Sequence, residues 1–283
     1  LKTSLRNFMT NHSILKFKNM LKYAFLFCAF IVLSGQNARF VYKHSYLKDS
    51  LKPDAKTEDV TYLDVSPKGS FYYKYEEYKN DSVLQKMRKS NMLISQKTHY
   101  KTFIEKQYAS PETYMYTNLI GAYYKIKEER PLKWEVLQEK SVYEGYNVQK
   151  ASTVFAGRKW TAWFTNEIPI SDGPYKFQGL PGLILKISDD KQQHKMELVK
   201  TSDVFIMFEK SDQQYIEIPA KKYNKLYQDN VKDPLLHLRE KGIDPNTINK
   251  VFINGQEVNA REYFKNGKIR FQKEENPIEL VKE

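Results

Sequence analysis

The amino-acid sequence predicts an α+β protein in which antiparallel β-structure predominates. Tyr and Phe occur 21 and 16 times in 283 residues, and such aromatic side chains favour strands with one buried and one wet face. Short strand-like segments also recur between residues 98 and 165, and turn-forming residues separate them. Helical spacing is confined to a few segments, so we expect an antiparallel meander with a few helices packed on one face.

An apolar leader precedes this domain. Residues 23–33 are apolar, follow a lysine and are followed by small and polar residues, which is the layout of a secretory signal peptide. A membrane span needs about twenty apolar residues, so this run is too short to be one. Cys28 lies inside the run, and we expect it to leave with the leader rather than to carry a lipid. We therefore expect residues 1–36 to be removed and residues 37–283 to form a single exported domain without a transmembrane span or a cysteine.

The net charge of +12 does not indicate a nucleic-acid partner. Residues 1–36 contain five basic and no acidic residues, so the remainder has 46 − 5 = 41 basic and 34 acidic residues, a net charge of +7. These charges are interspersed, whereas nucleic-acid binding needs a concentrated basic patch.

The first half of the expected mature chain alternates as strands do. Phe40, Tyr42 and His44 share one strand face, and residues 59–66 form a second strand. The alternation in segment 70–78 fits a strand, whereas its leading serine fits the start of a helix, and both remain possible. A short helix is expected to start at Asp81. Six further strands are predicted at residues 98–108, 112–120, 122–129, 133–139, 146–155 and 158–165.

The strand 158–165 follows a two-residue Ala156–Gly157 link, which is the length of a tight hairpin turn. Trp160 and Trp163 point to opposite faces of this strand, so both faces are expected to be covered.

The last third of the chain is predicted to be mixed. Strands are expected at 183–187, 194–200 and 204–208. The segment 220–241 has helical spacing that Pro234 must divide, with Asp233 capping the second helix. An Asn254–Gly255 turn then indicates a hairpin.

A glycine-rich segment, "SDGPYKFQGLPGLIL" at 171–185, leads into the 183–187 strand. Its turn is predicted to be type II, with Pro181 at the second position and Gly182 at positive φ in the third. We expect the hexapeptide to be a structural motif that feeds the core; its residues are Gly179, Leu180, Pro181, Gly182, Leu183 and Ile184.

The catalytic motifs sought are missing from the sequence. No zinc-ligand spacing, G-x-S-x-G elbow or phosphate-binding P-loop occurs, so we expect neither a metal nor a cofactor. If the protein were a hydrolase, Asp172 and Glu167 would be the acid and base candidates. Asp172 also fits a turn in which its side chain binds its own backbone.

Five aromatic residues cluster within eighteen positions around the glycine-rich segment: Trp160, Trp163, Phe164, Tyr175 and Phe177. They could line a groove for an apolar ligand, a glycan or a peptide, or they could pack in the core. Both interpretations remain open at this stage.

The stretch "GRKWTAWFTNEIPISDGPYKFQGLPGLILKISD" (157–189) resembles the GLPGLI family, also called the Porph_ging family, of secreted proteins from Gram-negative bacteria. "GYNVQKA" (145–151) and "NPIEL" near the end extend the resemblance. It implies a β-rich fold, by analogy an open, curved antiparallel sheet or incomplete barrel, and it implies no established activity. Val148 stands where family members often have a cysteine.

These observations favour a non-enzymatic protein of the periplasm or outer surface. It would bind an apolar or envelope-derived ligand, a peptide or an outer-membrane protein partner. A carboxylate-dependent hydrolase and a purely structural or assembly protein are the alternatives.

Overall fold

The structure is a computed structural model. It describes residues 37–52, 54–76, 102–119, 122–203, 205, 207–208, 210, 213–233, 235–242, 244, 247–248, 250–253, 256–259 and 277–279. The predicted leader at 1–36 and the short helix predicted from Asp81 lie outside these residues.

Fourteen strands and two helices longer than a single turn are found in the described part of the chain. The strands are β1 (Ala38–Leu47), β2 (Lys56–Ser66), β3 (Gly69–Lys74), β4 (Thr102–Gln107), β5 (Glu112–Leu119), β6 (Ala122–Lys127), β7 (Glu135–Tyr143), β8 (Tyr146–Phe155), β9 (Arg158–Thr165), β10 (Leu183–Asp189), β11 (His194–Ser202), β12 (Ile216–Pro219), β13 (Lys250–Ile253) and β14 (Gln256–Asn259). The helices are α1 (Ala220–Lys232) and α2 (Leu236–Glu240).

Twelve strands form one large open sheet in the order β12-β6-β5-β4-β3-β2-β1-β11-β10-β9-β8-β7. The central strand β1 pairs with β2 on one side and with β11 on the other. Two antiparallel meanders, β2–β6 and β7–β11, therefore meet at β1, and β12 adds a parallel partner at the β6 edge. The predicted sheet-dominated, antiparallel fold is confirmed.

Local sequence signals explain most of these strands. β1 alternates as predicted, with Phe40, Tyr42 and His44 buried. The ambiguous segment at 70–78 is a strand as far as Lys74. Ala156 and Gly157 adopt φ angles of 52° and 81°, the two positive values that a tight type I′ hairpin turn requires.

One strand prediction near the end of the sheet was wrong, and one strand was missed. None of the described residues within 204–208 is in a strand, whereas 216–219, which was not predicted, forms β12. Phe208 is instead buried in an aromatic cluster, and its backbone N–H donates to the Asp64 carboxylate at 3.0 Å. Aromatic content alone therefore indicated burial correctly but not strand pairing.

The helical segment divides as predicted. α1 ends at Lys232, and the Asp233 carboxylate accepts a hydrogen bond from the Leu235 N–H at 3.2 Å, at the start of α2. α1 contacts β12 and β6 at the edge of the sheet. The predicted hairpin around residues 254–255 forms as β13 and β14.

Two apolar cores flank the strands that precede and follow the glycine-rich segment. One, which we call the tyrosine core, draws on β1–β4, β8, β10 and β11 and includes Tyr42 and Tyr72. The other, which we call the tryptophan core, consists of Ala151, Phe155, Trp160, Ala162, Phe164, Phe177, Leu180, Ile184, Ile187 and Met196. Neighbouring residues of β10 contribute to different cores, so this strand is covered on both faces.

Candidate functional site

The residues between β9 and β10, 166–182, form a segment that we call the crossing segment because it joins both cores. Ile168 packs in the tyrosine core, whereas Phe177 and Leu180 pack in the tryptophan core. Backbone hydrogen bonds tie it to the start of β10, from Leu183 N to the Ile168 oxygen at 3.0 Å and from Ile184 N to the Asp172 oxygen at 2.9 Å. The segment is thus held along its length.

The hexapeptide at the end of the crossing segment is structural, but its turn differs from the prediction. Gly179 has a φ of 97°, whereas Gly182 is not among the residues with positive φ. The Leu183 N–H bonds to Ile168 and therefore does not close a type II turn. Gly182 is required for another reason, because a Cβ there would lie 2.0 Å from the Thr165 carbonyl oxygen.

Asp172 is fully buried in the crossing segment and forms an ion pair with Lys106 of β4, whose side chain is also fully buried. Its carboxylate accepts further hydrogen bonds from Ser70 Oγ at 2.5 Å and Tyr108 Oη at 2.6 Å. Lys106 Nζ also donates to the Gly173 carbonyl oxygen at 2.5 Å. We call Lys106 and Asp172 the sealed pair.

Burial and charge act in opposite directions on the sealed pair. Burial lowers the pKa of Lys106, while the adjacent Asp172 carboxylate counteracts that effect. Burial, together with the negative charge of Asp172, raises the pKa of the Tyr108 phenol. Because both charges are enclosed and bonded to each other, the arrangement braces the crossing segment against β3 and β4.

The other acid or base candidate, Glu167, has different surroundings. It is exposed, and its Oε1 accepts hydrogen bonds from the backbone N–H and the side-chain amide of Asn147, both at 2.8 Å. These two bonds lower the pKa of Glu167. Asp172 and Glu167 therefore bind separate partners, one in the interior and one beside the β7–β8 turn, and each is already engaged in holding the backbone.

The five aromatic residues singled out in the sequence are divided between the two cores. Trp160, Phe164 and Phe177 are buried together, and the Trp160 and Phe177 ring centroids are 4.8 Å apart. Trp163 lies on the opposite face of β9, against the tyrosine core, and Tyr175 contacts both cores. Three of the five are thus buried core residues, and the other two are partly buried against the cores.

A cleft of about 680 Å³ opens beside the crossing segment. Its walls combine apolar side chains with charged and amide groups, and they come from the β2–β3 turn, the ends of β4 and β8, residues 128–132 and residues 169–179. Representative lining residues are Pro67, Gln107, Arg130, Phe155, Ile170 and Lys176. A mixed lining of this kind suits a ligand that has both apolar and polar groups.

Three charged residues of one cleft wall, Glu128, Arg130 and Lys176, form a network with Glu279, and we call these four residues the open network. Lys176 Nζ lies 2.8 Å from Glu128 Oε2 and 2.5 Å from Glu279 Oε1. Arg130 Nη2 lies 2.6 Å from a carboxylate oxygen of each glutamate. Tyr175 Oη donates to Glu279 Oε1 at 2.5 Å. Two cations thus share two carboxylates.

The electrostatics of the open network favour ionised carboxylates. Burial by itself would raise the pKa of Glu128, but the Arg130 and Lys176 side chains lower it to about 2. The pKa of Glu279 is likewise lowered, because Lys176 and Arg130 outweigh the opposing effect of burial. Unlike the sealed pair, this network reaches solvent, since the Arg130 and Glu279 side chains are 41% and 23% exposed.

Glu279 belongs to a short segment near the end of the chain, residues 277–279, that a third cation also holds. Arg158 at the start of β9 donates to the Pro277 and Ile278 carbonyl oxygens at 2.8 and 3.1 Å. Its guanidinium is fixed in turn by the Asp189 carboxylate at 2.9 Å. The Ile278 side chain packs against the tryptophan core.

Sequence reasoning did not identify Lys106, Arg130, Arg158 or Lys176. With 46 Lys and Arg residues spread along the chain, nothing in the local pattern distinguishes these four. The only available signal was "NPIEL", which includes residues 277–279 but gives no indication of its partners.

Two searches for special sites were negative within the described ranges. No three His, Cys, Asp or Glu side chains lie close enough to hold a metal ion there. None of the helices in that part of the chain combines the length and apolar character needed to cross a bilayer.

Comparison with known proteins gives a family likeness and a distant structural one. The family model described as "Protein of unknown function (Porph_ging)" matches residues 85–186, which confirms the resemblance. No curated protein matches the chain. The solved structure of PNGF-II in the C2 space group superposes with a TM-score of 0.50 at 14% identity, over 68% of this chain and 32% of that one. PNGF-II in the P21 space group gives 0.48 at 15%, over 68% and 33%.

The chain therefore spans about a third of the length of the PNGF-II chain that it matches. At 14% identity this likeness concerns the fold alone.

Proposed function

We propose that this chain, whose residues 85–186 match the Porph_ging family model, is an exported binding protein of the periplasm or outer surface. Its ligand is a peptide segment of an envelope protein, bound in the cleft beside the crossing segment. The single observation that carries the proposal is that cleft, about 680 Å³ in volume and lined by both apolar and charged side chains.

The character of the cleft walls favours a peptide over a purely apolar ligand. Pro67, Ile170 and Phe155 offer apolar surface, while Arg130 and Gln107 offer hydrogen-bond donors. A peptide backbone with mixed side chains matches this combination, because its carbonyl groups need donors and its apolar side chains need contact area. A lipid tail would offer no hydrogen bond to the polar groups of the cleft and would shield them from water.

The state of the carboxylates supports binding rather than hydrolysis. Asp172 is fully enclosed with Lys106 and is out of reach of a substrate. Glu167 is exposed, but its pKa is lowered and it already accepts two hydrogen bonds from Asn147. An acid catalyst needs a raised pKa near the operating pH and contact with its substrate. Glu167 lacks the raised pKa, and Asp172 lacks the contact.

Export is supported by the apolar leader at residues 23–33, with its preceding positive charge and following small residues. The cysteine-free sequence that follows suits an oxidising compartment, where no disulfide exchange would then occur.

The test is native mass spectrometry of the protein purified from the envelope fraction of its own host, compared with two variants. Ser171 is exposed and lines the cleft, so Ser171→Trp should fill it. Val142 of β7 is 66% exposed and is not among the cleft-lining residues, so Val142→Trp is the matched control. We expect a retained peptide mass in the wild type and in Val142→Trp, and its loss in Ser171→Trp.

Two results would count against the proposal. One is a ligand-free spectrum in every preparation, and the other is an identical retained mass in Ser171→Trp. Recovery of the protein only from the cytoplasmic fraction would count against the exported location.

A further inference from the structure

The open network has features of a recognition site for a short acidic peptide. The 277–279 segment, which contains Glu279, is held by the other groups of the network and by Arg158 at the start of β9. These groups are all distant from the segment in sequence. We infer that these groups form a binding site for peptides of the type Pro–aliphatic–Glu. Residues 277–279 occupy this site in cis and compete there with a partner's peptide of the same chemistry.

The charges at the site create a requirement for a carboxylate. Without Glu279, two cations, Arg130 and Lys176, would face one carboxylate, Glu128. Only 4% of the Lys176 side chain is exposed, so solvent cannot replace the missing negative charge efficiently. The Tyr175 hydroxyl adds a donor that also points at the incoming carboxylate. Any occupant must therefore supply an acidic group at this point.

The remaining contacts explain why the other two positions are proline and an aliphatic residue. Arg158 binds the two carbonyl oxygens of Pro277 and Ile278, which are backbone groups present in any peptide. The Ile278 side chain adds apolar contact with the tryptophan core. Proline restricts the backbone and so reduces the entropy lost on binding. Recognition thus combines a backbone clamp, an apolar contact and a carboxylate anchor, as in other peptide-recognition modes.

Three features make the occupant exchangeable. The Glu279 and Arg130 side chains are 23% and 41% exposed, whereas both side chains of the sealed pair are fully buried. The two cations of the network and Phe155 of the tryptophan core also line the cleft, so a ligand in the cleft has direct access to them. The cis segment is favoured by an effective concentration of roughly millimolar order, so a free peptide binds measurably once that segment is weakened.

The inference rests on the proposed function in one respect, namely that the ligand of the cleft is a peptide. It adds the chemistry of that peptide and a competitor within the chain itself.

The experiment measures binding of a fluorescent Asn-Pro-Ile-Glu-Leu peptide with blocked ends to the full-length chain by anisotropy. The release variant combines Ile278→Ala and Glu279→Ala, which removes the apolar contact and the carboxylate of the cis segment. We expect at least tenfold tighter binding to the release variant than to the wild type. A probe with Gln in place of Glu should bind the release variant at least tenfold more weakly.

Additional variants in the release background separate specific binding from general charge attraction. Arg130→Ala should abolish binding of the Glu probe. Lys150→Ala removes a cation on β8 that pairs with Glu139 of β7 and lies over the Trp163 ring, and it should leave the probe affinity unchanged. Circular dichroism and thermal melting verify that each variant is folded.

A folded release variant that fails to bind the probe, or that binds the Glu and Gln probes equally, overturns the inference. A wild-type dimer that the release variant converts to a monomer also overturns it, because a second copy's segment would then be the occupant. If the probe does not bind but the native spectra show a retained peptide mass, only this inference is contradicted. Conversely, ligand-free spectra with strong probe binding contradict only the cleft function.

Discussion

The crossing segment holds two groups of buried charges only four residues apart, and they differ in their access to solvent. Asp172 and Lys106 form the sealed pair, in which both side chains are fully enclosed. Lys176, nearly as buried itself, is in contact with Glu279, a carboxylate that is 23% exposed. The sealed pair joins the crossing segment to β4, whereas the open network joins it to a short segment near the end of the chain.

This difference distinguishes an ion pair that holds the fold from ion pairs whose carboxylate can be replaced by another. A fully enclosed ion pair cannot dissociate without leaving a charge in an apolar interior, which is far more costly than hydrating it at the surface. A partly exposed pair can exchange one carboxylate for another or for water at much lower cost. The first arrangement therefore fixes the position of the crossing segment, and the second makes its outer side available for recognition.

The largest effect is expected where the crossing segment enters β10. In Gly182→Ala, the new Cβ would lie 2.0 Å from the Thr165 carbonyl oxygen, and only backbone displacement could relieve the contact. We expect a loss of about 4 kcal/mol or more in the free energy of unfolding, measured by urea denaturation, and a sharp drop in the yield of folded protein.

Gly145→Ala is the matched control for this substitution. Gly145 has a φ of 82° but no atom within 4 Å of an added Cβ, so only conformational strain of about 1–2 kcal/mol is expected. If the two variants lose equal stability, steric contact at Gly182 is not what requires glycine there.

The second prediction compares the two charge groups directly. Asp172→Ala leaves the enclosed Lys106 ammonium without its partner, and we expect a loss of about 3–5 kcal/mol in the free energy of unfolding. Glu279→Ala leaves the buried Lys176 with Glu128 as its remaining carboxylate, while the 41% exposed Arg130 can be hydrated, so a smaller loss of about 1–2 kcal/mol is expected. Urea denaturation of both variants measures the difference.

A double variant tests the origin of the larger loss. Lys106→Met combined with Asp172→Leu removes both charges and should be more stable than Asp172→Ala alone. Similar losses for Asp172→Ala and Glu279→Ala would mean that enclosure of the sealed pair has no energetic consequence.

The contrast also shows how far the sequence could predict the molecule. Alternation and tight-turn residues predicted most strands of the sheet, because strand periodicity is local and the aromatic positions mark the buried face. The missed β12 has a short sequence, and its pairing with β6 is set by residues about ninety positions away. Local periodicity carries no information about such a partner.

The candidate site was less predictable than the strands. Asp172 was recognised as a residue that bonds its own backbone, and Gly173 N does donate to its carboxylate at 2.6 Å. Lys106 shares a strand face with the buried Ile104, but a lysine in an alternating pattern is ordinarily expected to face solvent. Its burial depends on a carboxylate 66 residues later in the chain, which only the folded topology brings to it.

The smallest effect concerns a buried pair of histidines, in which burial favours the neutral form of His44. His44 Nε2 and His194 Nδ1 are 3.3 Å apart, so one ring donates a hydrogen bond and the other accepts it. Burial, together with the neighbouring His194 and Lys74, lowers the pKa of His44 to about 3 against the opposing charge of Asp59. Protonation of both rings would leave the shared hydrogen bond without an acceptor.

The sign of the pH dependence follows from that lowered pKa. Above the unfolded value of about 6.5, both states are neutral at His44 and its full contribution to stability is present. As the pH falls from about 6.5 towards 3, the unfolded chain binds a proton that the folded protein does not, so stability falls by up to about 1.4 kcal/mol per pH unit. Urea denaturation between pH 6.5 and 5, above the range where most carboxylates titrate, measures this slope. His44→Phe should flatten this slope. Ser45→Ala, which removes a hydroxyl bonded to the exposed Glu58, should retain it. An unchanged slope in His44→Phe would show that the imidazole pair is not the source of the pH dependence.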